Sequence, residues 1–372
     1  LQSGGEKGNM RKVKDRKWEQ LLWKLDREHR LSAGEWKDLL EAESREAGNL
    51  AADLAKRRAV EQFGKKIYIR GLVEISSYCK NNCLYCGIRC GNSRASRYRL
   101  TGEEILSCAG EGYRLGFRTF VLQGGEDGYY TDERLCGILE ELKRRFSDCA
   151  VTLSLGERTR ESYERLFAAG ADRYLLRHET ADRDHYSRLH PPEMSWDNRM
   201  RCLRDLKEIG YQVGCGFMVG SPGQTTECLV KDMMFLQEFH PHMVGIGPFV
   251  PHHDTPFAKE PGGTVKQTLY LLSLIRILLP WVLLPATTAL GTIDPKGRER
   301  GILAGANVLM PNLSPPGVRK KYELYDNKLC TGDEAAESLR ILRERICQIG
   351  YDLTVDRGDS PMTGGQKREY PR

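Results

Sequence analysis

The 372-residue sequence contains no long uninterrupted hydrophobic run. Its longest apolar stretch, residues 269–285, is broken by Ser273, Arg276 and Pro280. A helix that spans a bilayer needs about 20 consecutive, mainly apolar residues, so we predict no association with a membrane. A secretory hydrophobic segment is missing as well, which leads us to expect a cytoplasmic protein.

A strong excess of one charge is also absent. The formal net charge is +6, and no block of lysine and arginine alternates with aromatic residues. Because nucleic-acid-binding surfaces usually combine these two features, we expect no nucleic-acid partner. The composition, with 40% hydrophobic and 29% charged residues, suits instead a globular enzyme with a large core.

Cysteine is abundant, but it does not form the pattern of a disulfide framework. Twelve cysteines are spread between Cys79 and Cys347, and without a secretory segment we expect them to stay reduced. Cys79, Cys83 and Cys86 have CxxxCxxC spacing within residues 77–87, which we call the cysteine loop. A β-rich run at residues 67–76 directly precedes this loop, which is therefore expected at the C-terminal end of a strand.

Three cysteines are one fewer than a closed metal site requires. Iron–sulfur clusters and structural zinc sites normally have four protein ligands. A loop with three cysteines leaves one coordination position for a small molecule, which indicates chemistry at this loop. Two alternatives remain: a structural zinc site, and a closed four-cysteine site that includes Cys90.

Strand and helix patterns alternate along most of the chain. Short connections rich in Gly or Asp separate them, as in a parallel sheet with crossover helices. Eight strands and seven intervening helices predict an α/β fold, a TIM-type (β/α)8 barrel. The predicted strands are 67–76, 119–123, 151–155, 173–177, 212–218, 243–247, 282–286 and 307–310, and the predicted helices are 101–115, 132–146, 160–169, 195–209, 225–239, 264–279 and 296–303.

We expect four regions along the chain. A capping-box pattern at Ser32 and Glu35 indicates helices before the barrel. The predicted regions are a flexible tail at 1–14, an N-terminal helical lead-in at 15–66, the barrel at 67–325, and a C-terminal helical extension and tail at 326–372.

Polar residues follow the ends of the predicted strands. In a TIM-type barrel the reaction takes place at these C-terminal ends. A buried polar group without a partner costs about 1–3 kcal/mol, so we expect a ligand to supply the partners. The residues at these positions are Gln123, Glu126, Asp127, Thr152, Glu157, Arg177, His178, Glu179, Thr180, Met218, Thr287, Thr288 and Met310.

The cysteine loop resembles the cluster motif of radical S-adenosylmethionine (SAM) enzymes, including Tyr85 before the third cysteine and the glycine after it. The turn Gly124-Gly125-Glu126 is similar to the glycine-rich turn of that superfamily. In the superfamily, the methionine part of SAM binds the open iron of a [4Fe–4S] cluster, and one electron cleaves SAM to give a 5′-deoxyadenosyl radical. The resemblance implies that Cys79, Cys83 and Cys86 bind such a cluster.

Longer runs resemble the HydE family, the radical SAM maturases of [FeFe]-hydrogenase. Family members help to build the two-iron subcluster of the hydrogenase, acting on a small organometallic iron–cysteine complex that carries CO and cyanide. The resemblance covers about residues 67–325. The runs that carry it are 121–130, 152–157, 171–181, 218–225, 243–252 and 285–289.

The family resemblance also implies roles and partners. The residues that correspond to the SAM site are Tyr85, Gly124, Gly125, Glu126, Glu179 and Arg199. Those that correspond to the substrate cavity are Gln123, Thr152, Arg177, Thr287, Thr288, Met310, Tyr322 and Tyr325. The implied partners are two other maturases, the radical SAM tyrosine lyase HydG and the scaffold GTPase HydF, and an electron donor such as ferredoxin or flavodoxin.

One departure from the family concerns a second cluster. Some members bind it through a C-terminal Cys-x7-Cys-x2-Cys, but here Cys330 is followed at the matching positions by Ser338 and Ile341. We therefore expect no second cluster, and loose binding of a metal by Cys330 and Cys347 is the alternative. The alternatives that remain for the function are a methylornithine synthase, a biotin synthase, and a metal-binding or electron-transfer module without catalysis, which the polar strand ends argue against.

Overall fold

A computed structural model describes residues 17–329 and 335–363. The predicted tail at residues 1–14 lies outside these residues, and so does Cys330. The described chain begins with three helices, α1 (Lys17–Glu28), α2 (Ala33–Glu41) and α3 (Arg45–Phe63). The predicted capping box is present at α2, where the Ser32 side chain accepts from Glu35 N and the Glu35 side chain accepts from Ser32 N.

Strands and helices alternate after α3, as predicted. The first half consists of β1 (Lys66–Ile69), β2 (Gly71–Ser76), α4 (Gly102–Arg114), β3 (Thr119–Gly124), α5 (Asp132–Arg145), β4 (Ala150–Ser154), α6 (Arg160–Ala168), β5 (Arg173–Leu175), α7 (Arg183–Leu189) and α8 (Trp196–Ile209). The second half consists of β6 (Gln212–Cys215), β7 (Met218–Val219), α9 (Thr226–Phe239), β8 (Met243–Val244), β9 (Gly247–Pro248), α10 (Val265–Leu278), α11 (Thr288–Ile293), α12 (Gly297–Leu303), β10 (Val308–Leu309), α13 (Pro316–Arg319), α14 (Ala335–Gln348) and β11 (Asp352–Thr354).

Parallel pairing closes these strands into a barrel, which confirms the predicted fold class. Six strands are neighbours in the order β2-β3-β4-β5-β6-β8. Met243 on β8 then pairs with Leu283, Pro285 pairs with Val308 on β10, and β10 pairs with β1. Since β1 runs directly into β2, the circuit is complete. We call the C-terminal end of the strands the mouth of the barrel and the N-terminal end its base.

The predicted strand 67–76 is interrupted at Arg70. Its first half, β1, pairs with β10 on one edge and with β11 on the other, whereas its second half, β2, pairs with β3. The physical reason is that β11 occupies the edge of β1 that would otherwise face β3. β11 and the short helices α7, α11 and α13 are not among the predicted elements.

The segment after β11 closes the base of the barrel. Asp359 Oδ1 accepts from Arg173 Nη2 at 2.6 Å and from Gln212 Nε2 at 2.8 Å. The Thr119 hydroxyl donates to the Arg357 carbonyl at 2.7 Å. Because these contacts fill the base, the interior of the barrel is reached from the mouth.

None of the helices within residues 17–329 and 335–363 combines the length and the apolar character that crossing a bilayer requires.

Candidate active site

The cysteine loop lies at the mouth, directly after β2, and backbone hydrogen bonds hold it in place. Gly87 follows the third cysteine, and a side chain there would collide with the chain opposite, since a Cβ would lie 2.2 Å from the Glu323 carbonyl oxygen. Three N–H groups of the loop donate to carbonyls from three other connections: Lys80 to Glu126 at 2.9 Å, Leu84 to Leu189 at 3.0 Å, and Gly87 to Leu324 at 2.9 Å.

The three cysteine thiols are close enough to influence one another's ionisation. Burial raises the pKa of Cys79, Cys83 and Cys86, that of Cys86 to about 12. A charge on Cys86 raises the pKa of Cys83 further, and a charge on Cys79 raises that of Cys86. Thiolate is the form that binds metals, so three partly buried thiolates at this place need a strong positive charge. A metal cluster with one position free of protein ligands fits this donor set.

The turn Gly124-Gly125-Glu126 packs directly against the cysteine loop. A Cβ on Gly125 would lie 2.2 Å from the Tyr78 carbonyl oxygen and 2.7 Å from Cys79 Cβ. Only glycine allows the two segments to approach this closely. The Glu126 carboxylate accepts from Glu157 N at 2.9 Å, so its side chain is held by the protein.

Arg199, at the start of α8, is buried and paired with Glu157. Its Nε donates to Glu157 Oε1 at 2.5 Å, and its Nη1 donates to the Arg177 carbonyl at 2.7 Å. Glu157 also accepts from Asn198 Nδ2 at 2.5 Å. Glu157 is one of the polar residues expected after a strand end, but no role in the site was predicted for it from the sequence.

Arg177 and Glu179 form a second charged pair at the end of β5. Arg177 Nη2 lies 3.0 Å from Glu179 Oε2, but the orientation does not make a hydrogen bond. Arg177 Nε and Nη2 and Glu179 Oε2 are therefore buried atoms without a hydrogen-bond partner among the described residues. Glu179 also has a φ of 64°, which is uncommon for a residue other than glycine. Both features are typical of a ligand site.

A cavity of about 330 Å³ lies beneath the cysteine loop and between these charged pairs. Its size is at the lower end of the range for small-molecule sites. The Thr287 hydroxyl has no hydrogen-bond partner in the described part of the chain, although it stands at the N-cap of α11. The predicted residues that line the cavity are Cys79, Cys83, Tyr85, Cys86, Gln123, Gly124, Gly125, Glu126, Arg177, Glu179, Arg199, Thr287, Met310, Tyr322 and Tyr325.

Two of the predicted residues lie apart from this cavity. Thr152 is buried on β4, two residues below Ser154, which does line the cavity. Thr288 lines a smaller cavity of about 140 Å³, which shares Met310 with the larger one. Ser338 and Ile341, at the positions of the missing cysteines, also line the smaller cavity.

A histidine that the sequence analysis had not singled out orients Tyr85. His190 Nδ1 lies 2.9 Å from the Tyr186 carbonyl, and its Nε2 lies 3.1 Å from the Tyr85 hydroxyl. A carbonyl only accepts, so Nδ1 carries the proton and Nε2 accepts from Tyr85. Burial and the charge of Arg199 lower the pKa of His190 to about 3, which keeps the ring neutral. Since 105 residues separate the two partners, no local pattern could have indicated this pair.

Comparisons with known proteins agree with this geometry. The profile of the Radical SAM superfamily matches residues 73–236. The [FeFe] hydrogenase maturase subunit HydE of Thermotoga maritima is 46% identical over 86% of this chain and 88% of its own length. The 3-methylornithine synthase of Methanosarcina acetivorans is 27% identical over 87% of this chain and 90% of its own. The crystal structure of a methylornithine synthase superposes with a TM-score of 0.78 at 26% identity, covering 90% of this chain and 97% of that one.

Proposed function

The chain belongs to the HydE family of radical SAM enzymes, and we propose that it acts in the maturation of [FeFe]-hydrogenase. In this proposal the barrel mouth binds a [4Fe–4S] cluster and SAM. The substrate is a small iron–cysteine complex that carries CO and cyanide, on the way to the two-iron subcluster. The observation that best supports the proposal is that three partly buried thiols line the same cavity as the Arg177–Glu179 pair and Arg199.

Cys79, Cys83 and Cys86 would hold the cluster in this proposal. The cluster and SAM together supply a 5′-deoxyadenosyl radical after a one-electron reduction. The protein contributes a fixed loop, because the backbone bonds of Lys80, Leu84 and Gly87 connect it to three other segments. It also contributes a closed base, which limits the access of water to the cavity.

The two arginines at the mouth suit different tasks. A guanidinium binds a carboxylate most strongly through two parallel N–H groups. In Arg199, Nε and Nη1 already donate to Glu157 and to the Arg177 carbonyl. Arg199 therefore offers its charge and Nη2 to the methionine carboxylate of SAM, with Glu179 as the partner of the SAM amino group.

Arg177 offers the two-pronged contact that Arg199 does not. Its Nε and Nη2 are adjacent donors, and neither has a hydrogen-bond partner in the described structure. We assign this fork to the amino-acid carboxylate of the substrate. The Thr287 hydroxyl and the Tyr322 hydroxyl, which accepts from Gln123 Nε2 at 3.4 Å, are placed to bind its polar diatomic ligands, while Met310 supplies an apolar wall.

Anaerobic reconstitution followed by incubation with SAM and dithionite tests the first part of the proposal. We expect 5′-deoxyadenosine and methionine as products. Co-expression with an [FeFe]-hydrogenase tests the second part, with active hydrogenase as the expected result. If the same preparation converted lysine to methylornithine instead, the chain would have the activity of the 3-methylornithine synthase to which it is similar.

A further inference from the structure

Three ion pairs near the outer side of the cysteine loop are oriented in the same direction, with the cation more exposed than the carboxylate. The side-chain exposures are 67% for Lys80 against 9% for Glu126, 78% for Arg94 against 7% for Asp254, and 37% for Arg99 against 3% for Asp127. An ordinary surface pair such as Arg183–Asp197 exposes both partners, at 58% and 63%. The surface over the loop therefore presents positive charge although each cation is paired.

The sequence of this region reinforces the asymmetry. Residues 75–102 contain five basic residues and no acidic one. Arg97, one of the five, donates to the backbone carbonyls of Ser77, Ile88, Arg89 and Asn92, so it fixes the segment from inside. The exposed cations of the segment are thus carried on a rigid support.

Stacked arginine and tyrosine side chains extend this surface to α5. The Arg99 guanidinium lies 3.9 Å from the centre of the Tyr78 ring and 5.0 Å from that of Tyr129. The Arg134 guanidinium also lies against Tyr129, 3.9 Å from the centre of its ring. Tyr78 is 38% exposed and directly precedes Cys79. The exposed side chains Tyr78, Lys80, Arg94, Arg99 and Arg134 form what we call the loop patch.

The proposed function requires that one electron reaches the cysteine loop from outside the protein. The cavity side of the loop is the proposed place of SAM and substrate, and the C-terminal segment closes the base. The outer side of the loop, which is the loop patch, is the face left for a reductant. Long-range attraction between opposite charges raises association rates between proteins.

We propose that the loop patch docks an acidic one-electron carrier protein, an inference that rests on the proposed function and names the partner of its site. The carrier would supply the one electron that a cluster held by Cys79, Cys83 and Cys86 needs for SAM cleavage, and this transfer would form and break no covalent bond. The exposed Tyr78 ring provides the apolar centre of the contact, and the cations surround it.

The test compares charge neutralisation at the loop patch with charge neutralisation at the far end of α5. Arg134 is in the first turn of α5, at the mouth, and Arg144 is in its last turn, near the base. We compare the double variant Arg94→Gln/Arg134→Gln with Arg144→Gln as the matched control. The probes are a fully reduced flavodoxin and a reduced ferredoxin, and the two readouts are their Kd for the reconstituted enzyme, measured by anaerobic calorimetry, and the rate of 5′-deoxyadenosine formation.

At low salt, we expect the double variant to bind the carrier about tenfold more weakly and to form 5′-deoxyadenosine with it about tenfold more slowly. Both differences should disappear at high salt, because exposed charges are then screened. The dithionite-driven rate of the double variant should equal that of the wild type, and Arg144→Gln should match the wild type throughout. A double variant that binds and reacts like Arg144→Gln, or a wild type that binds neither carrier, would overturn the docking proposal. A wild type that fails to cleave SAM with dithionite would instead refute the proposed function.

Discussion

The two ends of strand β5 each carry an arginine, and the surroundings of the two arginines differ. At the base, all three nitrogens of the fully buried Arg173 donate to protein groups: Nε to Gln212, Nη1 to Thr119 and Nη2 to Asp359. At the mouth, Nε and Nη2 of Arg177 have no such partner among the described residues. Each nitrogen of the Arg173 guanidinium thus has a hydrogen-bond partner, whereas Arg177 has an ion-pair partner in Glu179 but two nitrogens without a hydrogen bond in the described part of the chain.

This difference supports a structural role for Arg173 and the proposed ligand-binding role for Arg177. A satisfied buried network stabilises and rigidifies the fold, whereas each buried donor without a partner costs about 1–3 kcal/mol. Within the described structure, the mouth has several buried polar atoms without a hydrogen-bond partner, on Arg177, Glu179 and Thr287, and near the base Arg70 Nε and Nη2 are in the same position. We therefore expect substitutions at the mouth to reduce cluster binding or activity and substitutions at the base to reduce stability.

The largest effect is expected at the cysteine loop. Cys83→Ala should lower the iron content after anaerobic reconstitution from about four per chain to nearly none, because a [4Fe–4S] cluster needs all three thiolates. Iron analysis and the visible absorption of the cluster are the measurements. Cys90→Ala is the control, since Cys90 is exposed and is not among the residues that line the cavity. Equal iron loss in both variants would support a closed four-cysteine site.

Arg177→Ala should abolish maturation of a co-expressed hydrogenase while the protein keeps its cluster and its SAM affinity. The reason is that the substrate carboxylate loses both adjacent donors. Arg177→Lys should restore little activity, because an ammonium group does not reproduce the planar fork. Hydrogenase activity and the melting temperature should be measured together. Active hydrogenase from the Ala variant would place the substrate elsewhere in the barrel.

Arg173→Ala, four residues earlier, should show the opposite behaviour. Removing one partner of a buried ion pair costs about 3–5 kcal/mol, and we expect the lower end because Asp359 is 35% exposed. The free energy of unfolding, from urea titration of the purified protein, should fall by that amount. Iron content and SAM cleavage of the folded fraction should remain normal. A free energy of unfolding equal to that of the wild type would show that the Arg173–Asp359 pair does not stabilise the base of the barrel.

The sequence predicted the mouth better than the base, for physical reasons that particular residues illustrate. The cysteine loop is local, so spacing alone indicated a metal site. Thr288 follows Thr287 at the start of α11, where successive side chains point about 100° apart, and only the structure shows that Thr288 faces the smaller cavity. Thr152 lies two residues, or about 7 Å, closer to the base than Ser154. The sequence pattern of a strand does not show how far along the strand the cavity extends.

Pairings between distant segments could not be predicted either. Glu157 and Arg199 are 42 residues apart, and Tyr85 and His190 are 105 apart. At the base, β11 and Asp359 reach the barrel after α14 and a short connection, and β1 accepts β11 in place of β3. A chain of three strand residues is too short for a periodic signal. The base was therefore predicted as helical extension and tail, without its closing contacts.

A smaller effect is expected for Arg199→Ala. Loss of a charged contact to the methionine carboxylate should weaken SAM binding by about ten- to a hundredfold, measured by equilibrium binding to the reconstituted protein. The effect stays limited because only Nη2 of Arg199 is available to the ligand. Asn198→Ala, which also removes a donor to Glu157, is the control for indirect disturbance. Wild-type SAM affinity in Arg199→Ala would remove this residue from the SAM site.

The smallest effect is expected from pH at the base. Burial alone would raise the pKa of Asp359, but hydrogen bonds from Arg357 and the charge of Arg173 lower it below its usual range. A carboxyl whose pKa is lower in the folded than in the unfolded state stabilises the fold above the unfolded value, near 3.9, and this contribution is lost as pH falls through the folded value. Asp359→Asn should therefore melt below the wild type at pH 7, and the gap should narrow as the pH falls below about 4. A gap that stays constant between pH 7 and pH 3 would mean that the carboxylate charge does not hold the base closed, and that the hydrogen bonds which Asn preserves are sufficient.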